Sequence, residues 1–474
     1  MARKFWLNGK WKSSGDLLSV TNPFNGSCID DVYAAEDKHL DEIIGSNFDA
    51  FEQTREMPAW KRARILQNIA AGIGHRKTEF TETIVQEAGK PISYARGEVE
   101  RAILTFTLAA EEAKRIGGEV IPLDLNTASE GRFGITRRFP VGPVIGISPF
   151  NFPLNLVAHK IGPAVAAGNT ITIKPSSQTP LTALLLAEVI SESGALPGQV
   201  NIVPMNNALA EKLVKSHQFK ILSFTGSDSV GWHLKGLDPR KKVTLELGGN
   251  AALIVDKDVD INTVVKRAVA GAFAYAGQVC ISIQRIYAHI DILENFLTAF
   301  AEATRQIGTG DPMKEETVVG PMIDTRAADR VETWLEEARE AGAQILCGGK
   351  RSGNMITPSV LIHTTPDMKV CCREAFAPLV VIEPFREFRE AVAMVNNSVY
   401  GLQAGIFSNQ YEHILFAFRQ IEVGGLIIND FPTYRVDNMP YGGVKASGFG
   451  REGLKYAVDE MTENRLMVFN TMGF

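Results

Sequence analysis

The chain has 474 residues, 45% of them hydrophobic and 22% charged. That composition excludes a disordered, collagen-like or coiled-coil chain, and at roughly 150 residues per domain the length suggests about three domains or lobes. Lys and Arg number 49 against 54 for Asp and Glu, a net charge of −5, which excludes a general attraction for nucleic acid or anionic membranes.

Residues 5–12 read as a hairpin, because Asn8-Gly9 sits between apolar residues. Lys10 and Lys12 stand where a secretory leader needs an apolar stretch. Residues 57–116 read as helices: Ile65, Ile69 and Ile73 recur every four residues, and Val99, Ile103 and Phe106 follow at four and three. The uncharged run 141–159 holds Pro143, Pro149 and Pro153, which predicts a folded, loop-rich segment rather than a membrane helix. From about residue 140, β-branched runs alternate with helical stretches. Strands are predicted at 144–148, 170–174, 200–204, 220–226 and 243–247, with a helix over 180–193. A second set follows at 251–255, 284–290, 380–384, 405–408 and 425–429. Strands separated by helices predict two mostly parallel sheets and a cleft between two lobes. The five cysteines, Cys28, Cys280, Cys347, Cys371 and Cys372, form no Cys-x-x-Cys pair. A zinc site is therefore not expected, and a reducing, cytoplasmic setting is.

GFGREG at 448–453 matches the dinucleotide fingerprint literally. The fingerprint needs a strand before it and a crossover unit around it; MPYGGVKAS precedes it here, so a glycine-rich surface turn is expected. KILSFTGSDSVG at 220–231 is better placed: strand, turn, helix start, with free N–H groups suited to a diphosphate, or simply a capped helix. Cys280 follows Gly277 and Gln278 and precedes an apolar strand; it is either a nucleophile or a small buried hydrophobe. Glu246 ends a strand before Gly248 and Gly249, as a general base with room to swing or as an edge carboxylate. Asn151 precedes Pro153, which suits a first helical turn; its amide serves either a developing oxyanion or the helix N-cap. Lys174 ends a strand as a ribose or phosphate ligand, or as a solvated lysine.

These fragments, in this order, resemble the aldehyde dehydrogenase superfamily over nearly the whole chain. The matching motifs are EAGKP (87–91), FNFP (150–153), KPS (174–176), FTGS (224–227), LELGGN (245–250), GQVC (277–280), EAFAP (374–378) and MPYGGVKASGFG (439–450). The resemblance implies an α/β fold with two Rossmann-like open-sheet lobes and a small β bridging or oligomerisation arm. It places the cofactor-binding domain at 1–118 and 139–246, the catalytic domain at 247–450 and the arm at 119–138 and 451–474. It implies NAD(P)+-dependent oxidation of an aldehyde to a carboxylic acid in a homodimer or homotetramer, with no metal. Cys280 would be the nucleophile, Glu246 the base that activates water, and the Asn151 amide with the Cys280 N–H the oxyanion hole. Lys174 and Glu374 would hold the riboses, Gly226 and Ser227 the diphosphate, and Phe376 the nicotinamide side. Ser148, Phe150, Ser177, Phe224, Val230 and Leu247 would complete the cofactor groove.

Three positions depart from the family pattern. Ser177 replaces a Glu that would repel a 2′-phosphate, so NADP is expected to be tolerated beside NAD. Ala377 stands where Gly is frequent. Val279 replaces the Arg that precedes the nucleophile in relatives taking phosphorylated aldehydes. The segments NLVAHKIGPA and PTYRVDNMPYGG look most like the lactaldehyde-type branch, which implies a small hydroxy- or oxo-substituted aldehyde. Arg101, His159 and Arg435 would meet an anionic or polar tail, or serve structure. A CoA-acylating enzyme is the rival activity, which Glu246 opposes; a non-catalytic binding protein would be expected to lack Cys280 or Glu246.

Overall fold

The computed structural model describes residues 2–471. Met1 and residues 472–474, the outer ends of the first and last expected segments, lie outside the described residues. The chain opens on a two-residue hairpin, Phe5–Leu7 against Lys10–Lys12. Asn8 and Gly9 at its tip have φ of 53° and 71°, the conformation a tight primed turn requires.

The first sheet runs, edge to edge, Lys10–Lys12, Phe5–Leu7, Val200–Ile202, Ile171–Lys174, Val144–Ile147, Ile221–Thr225, Lys242–Glu246 and Gly448–Phe449. Its five central strands are parallel. Val144–Ile147 and Ile171–Lys174 are buried at every residue, which is why they read as continuous apolar runs rather than alternating ones. From Val144–Ile147 the chain winds outward one way through two strands and then returns to lay Ile221–Thr225 on the other side. The order therefore reverses there, and such a switch point opens a crevice at the strand ends.

The second sheet runs Gln344–Cys347, Ser359–Ile362, Leu379–Phe385, Ile283–His289, Ala251–Val255, Gln403–Phe407 and Gly425–Ile428. All its pairings are parallel except the first. Each sheet has its own apolar core. A third, antiparallel sheet joins Val120–Pro122, Arg132–Pro140 and Thr462–Asn470. Within 451–474, the helix Leu454–Glu460 packs instead on Asn155–Ala167 and Ile92–Glu112, because Leu454, Val458 and Met461 are buried in the first core. GFGREG forms an edge: Gly448 pairs with Glu246, and the following Glu452 is 2% exposed. It is neither a phosphate loop nor wholly a surface turn.

Helices fill 59–112 as Ala59–His75, Lys77–Ala88 and Ile92–Glu112. The helix after the first central strand begins at Asn155, two residues beyond Pro153. Asn151 does not cap it. The Glu98 carboxylate does, accepting from the N–H of Leu154 at 2.9 Å and of Asn155 at 3.1 Å. Glu98 is also ion-paired with the buried Lys90, whose Nζ lies 3.7 Å from the centroid of the Phe152 ring. This pair pins both ends of the 148–154 loop's approach to the helix. Among the described residues no helix is long and apolar enough to cross a membrane, and no cluster of His, Cys, Asp and Glu is suited to a metal.

Removing one member of a buried ion pair leaves a bare charge, which costs about 3–5 kcal/mol. Glu98→Ala should lower unfolding free energy by about that amount, read as a drop in the urea midpoint; an unchanged midpoint would show that the pair carries no net stability.

Candidate active site

Three loops meet at the cleft: 148–154 after Val144–Ile147, the junction 247–250 between the two sheets, and the segment 274–282 before Ile283–His289. They enclose a cavity of about 750 Å³. Tyr275, Ala276 and Gly277 take successive φ of 51°, 54° and 65°, a left-handed turn that costs non-glycine residues roughly 1–2 kcal/mol each. The turn is clamped. The Tyr275 hydroxyl donates to the Ala88 carbonyl at 3.0 Å, and a Cβ on Gly277 would lie 2.0 Å from the Ala377 carbonyl oxygen. Gln278 is fully buried. Its side chain donates to the Pro321 carbonyl at 3.2 Å and accepts from the Ile323 N–H at 2.9 Å.

Two residues on, Cys280 faces the cavity. Its sulfur lies 3.1 Å from the Tyr441 hydroxyl. Burial pushes the thiol up to about 12, against the Tyr441 bond and the Arg435 charge, which pull it down. Asn151, 4% exposed, donates its amide to the Gln278 carbonyl at 2.9 Å, which fixes it beside the loop that carries Cys280. Glu246, 3% exposed, has no hydrogen-bond partner on either carboxylate oxygen. Burial, then the neighbouring Glu452, push its titration well above the ordinary range; Arg435, Lys160 and Arg451 only partly oppose this. In this position its protonated form is favoured.

Beneath Glu246 lies a buried charge cluster. Burial opposes ionisation of Glu452, yet Lys160, Arg435 and His159 hold it down to about 2. Arg435 donates to Glu452 at 2.9 Å. Asp437 accepts from Arg101 at 2.6 Å and pairs with His159 at 2.9 Å. Burial first, then Arg435, lower the His159 titration, so this imidazole is neutral near pH 7.

Of the residues expected from the sequence, Phe150, Asn151, Gly226, Ser227, Glu246, Leu247, Cys280, Glu374 and Phe376 line the one cavity, as do Arg101 and Arg435. Phe150 and Phe376 meet edge to face at 5.8 Å. Glu374 accepts from the Gly249 N–H at 2.8 Å, and burial lifts its carboxyl to about 7. Ser148, Lys174, Ser177, Phe224, Val230 and His159 do not line the cavity. Lys174 is 7% exposed at a strand end, and burial lowers its ammonium titration. Ser177 is exposed three residues beyond. Phe224 is core: its ring fills the space under Gly226, where a Cβ would lie 2.7 Å away. The sequence reading assigned no role to Tyr441, Lys160 or Glu452. The signal for Lys160 was available, a lysine inside the otherwise apolar NLVAHKIGPAVAA; Glu452 sat inside the misleading GFGREG.

The chain matches the model of the aldehyde dehydrogenase family over residues 11–467. A 3-sulfolactaldehyde dehydrogenase of Priestia aryabhattai is 43% identical over 98% of this chain and 97% of that protein. Among solved structures, aldehyde dehydrogenase 21 of Physcomitrella patens, in complex with the reaction product succinate, superposes with a TM-score of 0.97. It is 40% identical and covers 100% of this chain and 99% of its own. A glyceraldehyde-3-phosphate dehydrogenase of Methanocaldococcus jannaschii complexed with NADP follows at a TM-score of 0.92 and 39% identity, covering 96% and 99%.

The position of Glu246 has a consequence for stability. Its folded-state titration is raised, so above the unfolded value near 4.5 the unfolded chain releases a proton that the native chain keeps. Stability is then lost as pH rises, by at most about 1.4 kcal/mol per pH unit until the folded titration is reached. Glu246→Gln should match the native chain's melting temperature at pH 5 and exceed it at pH 8. Glu452 acts in both proteins and cancels in the difference. A gap that does not widen with pH would contradict a protonated Glu246.

Proposed function

The chain belongs to the aldehyde dehydrogenase family, and from that premise we propose that it oxidises a small hydroxy-aldehyde with an anionic far end to the carboxylic acid, with NAD or NADP as acceptor. The observation that carries this reading is one cavity lined by Cys280, Asn151, Glu246 and the guanidinium groups of Arg101, Arg330 and Arg435.

The residues present suit a dinucleotide. The strand Ile221–Thr225 runs through Gly226 into the helix Asp228–Leu237, and Ser227 at its N-cap makes no side-chain cap bond. N–H groups are thus left for a diphosphate. The Asp228 carboxylate is engaged by the Tyr400 hydroxyl at 3.1 Å. Lys174 has no protein partner for its ammonium, and Glu374 presents a carboxylate at the cavity wall. In this reading Lys174 and Glu374 hold the riboses, Gly226 and Ser227 the diphosphate, and Phe376 packs by the nicotinamide.

In the proposed cycle the Cys280 sulfur adds to the aldehyde carbon. The Asn151 amide and the Cys280 N–H receive the resulting alkoxide; each such donor is worth ~10²–10³ in rate. NAD or NADP, which Lys174, Glu374, Gly226 and Ser227 would hold, would supply the hydride acceptor for this carbon. Glu246 then swings out on its glycine-flanked junction, gives up its proton to solvent and takes one from the water that attacks the thioester.

Charge favours an anionic tail. Three cationic side chains, Arg101, Arg435 and Lys160, face two carboxylates, Asp437 and Glu452, and burial favours the neutral forms of Glu246 and Lys160. The Nε atoms of Arg101 and Arg435 are buried without a partner, and both side chains line the cavity. Val279 before the nucleophile favours a carboxylate or sulfonate over a phosphoryl group. We further propose that 1–118 with 139–246 form the cofactor domain, 247–450 the catalytic domain, and 119–138 with 451–474 a bridging arm. Leu466, Met467 and Val468 are each more than half exposed on that arm's strand, which suits a homodimer or homotetramer. The five free cysteines suit a reducing cytoplasm.

The first test is NAD(P)H formation with aldehydes of equal length bearing either an anionic or a neutral end. The anionic series should be preferred, Cys280→Ala should be inactive, and Glu246→Gln should give one burst and then stall. Activity surviving in Cys280→Ala would remove the sulfur from its role. The second test is Ser177→Glu. The native chain should use both cofactors, and the variant should lose ~10² or more in kcat/KM for NADP while keeping NAD. A native kcat/KM for NADP already ~10³ below that for NAD would remove Ser177 from cofactor selection.

A further inference from the structure

The Cys280 sulfur lies in a small apolar cluster formed by Ile281, Leu402 and Tyr441, with Val279 against it. Nothing apolar can solvate a thiolate, and among the described residues the one hydrogen-bonding side chain in contact with the sulfur is the Tyr441 phenol, at 3.1 Å. Tyr441 is 2% exposed. Its backbone is fixed by paired hydrogen bonds with Glu452, at 3.0 and 2.7 Å. Its ring is covered by Arg435, whose guanidinium carbon lies 3.7 Å from the centroid and whose Nη2 is tied to the Glu452 carboxylate at 2.9 Å. A cation over the ring draws electron density from the phenol and makes the O–H a stronger donor. The other titratable groups facing the pair are Glu246 and Glu374, and burial favours the protonated form of both.

We propose that Tyr441 is a catalytic residue whose hydroxyl donates a hydrogen bond to the Cys280 sulfur whenever that atom carries negative charge, with Arg435 as the positioning residue that holds the ring. This rests on the reading of Cys280 as the nucleophile. The sulfur is charged twice. The first time is before attack, as the thiolate, once the thiol proton has passed to solvent through the cavity. The second is at hydrolysis: water adds to the thioester carbon, the oxyanion collapses to a carboxylic acid, and the C–S bond breaks with its electron pair passing to sulfur. No proton leaves Tyr441 in either event. Burial pushes its phenol well above the usual range, so it donates a hydrogen bond and keeps its proton. The role explains why a hydroxyl is placed on an otherwise apolar wall, where an unpaired one would be costly.

The test reads the sulfur directly and needs no aldehyde. Alkylation of Cys280 by iodoacetamide, followed on its peptide by mass spectrometry from pH 6 to 10, gives the pH profile of the thiolate. Tyr441→Phe should move that profile upward by about one pH unit, an approximately tenfold slower reaction on the rising limb, and should lower kcat more than kcat/KM. Replacing the 9 tyrosines of the native chain by 3-fluorotyrosine, a stronger donor, should move it downward, and this arm stands even if the phenylalanine variant does not fold. Superimposable profiles would overturn the proposal whatever the turnover. An active Cys280→Ala protein would instead refute the nucleophile itself, so the two failures are distinct.

Discussion

Between Glu246, the last residue of a strand in one sheet, and Ala251, the first residue of a strand in the next, stand only Leu247, Gly248, Gly249 and Asn250. Five peptide steps span at most about 18 Å, so the C-terminal end of the first sheet and the N-terminal end of the second are held face to face. The closeness is tighter than chain length alone demands. A Cβ on Gly249 would lie 2.1 Å from the Cys280 carbonyl oxygen, and one on Gly248 would lie 2.6 Å from a Glu374 carboxylate oxygen. Only glycines let the junction pass between those groups. The candidate base, nucleophile and ribose ligand therefore share one small volume because a short strap forbids the lobes to part.

Bringing these groups together puts charge where water cannot reach it, and the structure resolves this by pairing and by protonation. Glu452 stays ionised because Lys160 and Arg435 surround it, and Asp437 because Arg101 and His159 do. Glu246 has no such partner, and burial raises its titration instead. Two carboxyls that share a dry region with their titrations driven apart are the ordinary means of obtaining a proton acceptor distinct from a fixed counter-charge. The difference between Glu246 and Glu452 is geometric: one sits on a glycine-flanked strap, the other on the edge behind it with cations on every side.

Much of this was legible in the amino-acid order. The strands 144–147 and 251–255 are buried on both faces and announce themselves as apolar runs. Ile65, Ile69 and Ile73 mark the inner face of a helix and are all buried. No strand was read from the pattern at Asp16–Thr21, Cys28–Ala34 or Thr462–Asn470, the last coming only with the β arm that the resemblance implies: Asp16–Thr21 and Thr462–Asn470 are mostly exposed and Cys28–Ala34 mostly half-buried, so none shows the alternation that identifies a strand. The cavity gathers Cys280, Glu246 and Asn151, which motif and spacing had singled out. It does not gather Phe224, since a residue one step from a tight turn can point into the core as easily as into the crevice. Tyr441 carried no signal of its own: a tyrosine in a glycine-rich stretch declares its partner only when the fold brings position 280 to it.

The left-handed turn at 275–277 shows what the site asks of the rest of the molecule. Two non-glycine residues in that region cost roughly 2–4 kcal/mol together, a sizeable part of the 5–15 kcal/mol by which native proteins are stable. The turn persists because its surroundings over-determine it. Tyr275 is fully buried and bonded to Ala88, and Lys90 lies over its ring. Lys90 also pairs with Glu98, the carboxylate that caps the helix after Asn151. One buried ion pair thus braces the approach to Cys280 from one side and the approach to Asn151 from the other. The left-handed turn before Cys280 and the placement of Asn151 thus share one support, to which Lys90 of EAGKP contributes.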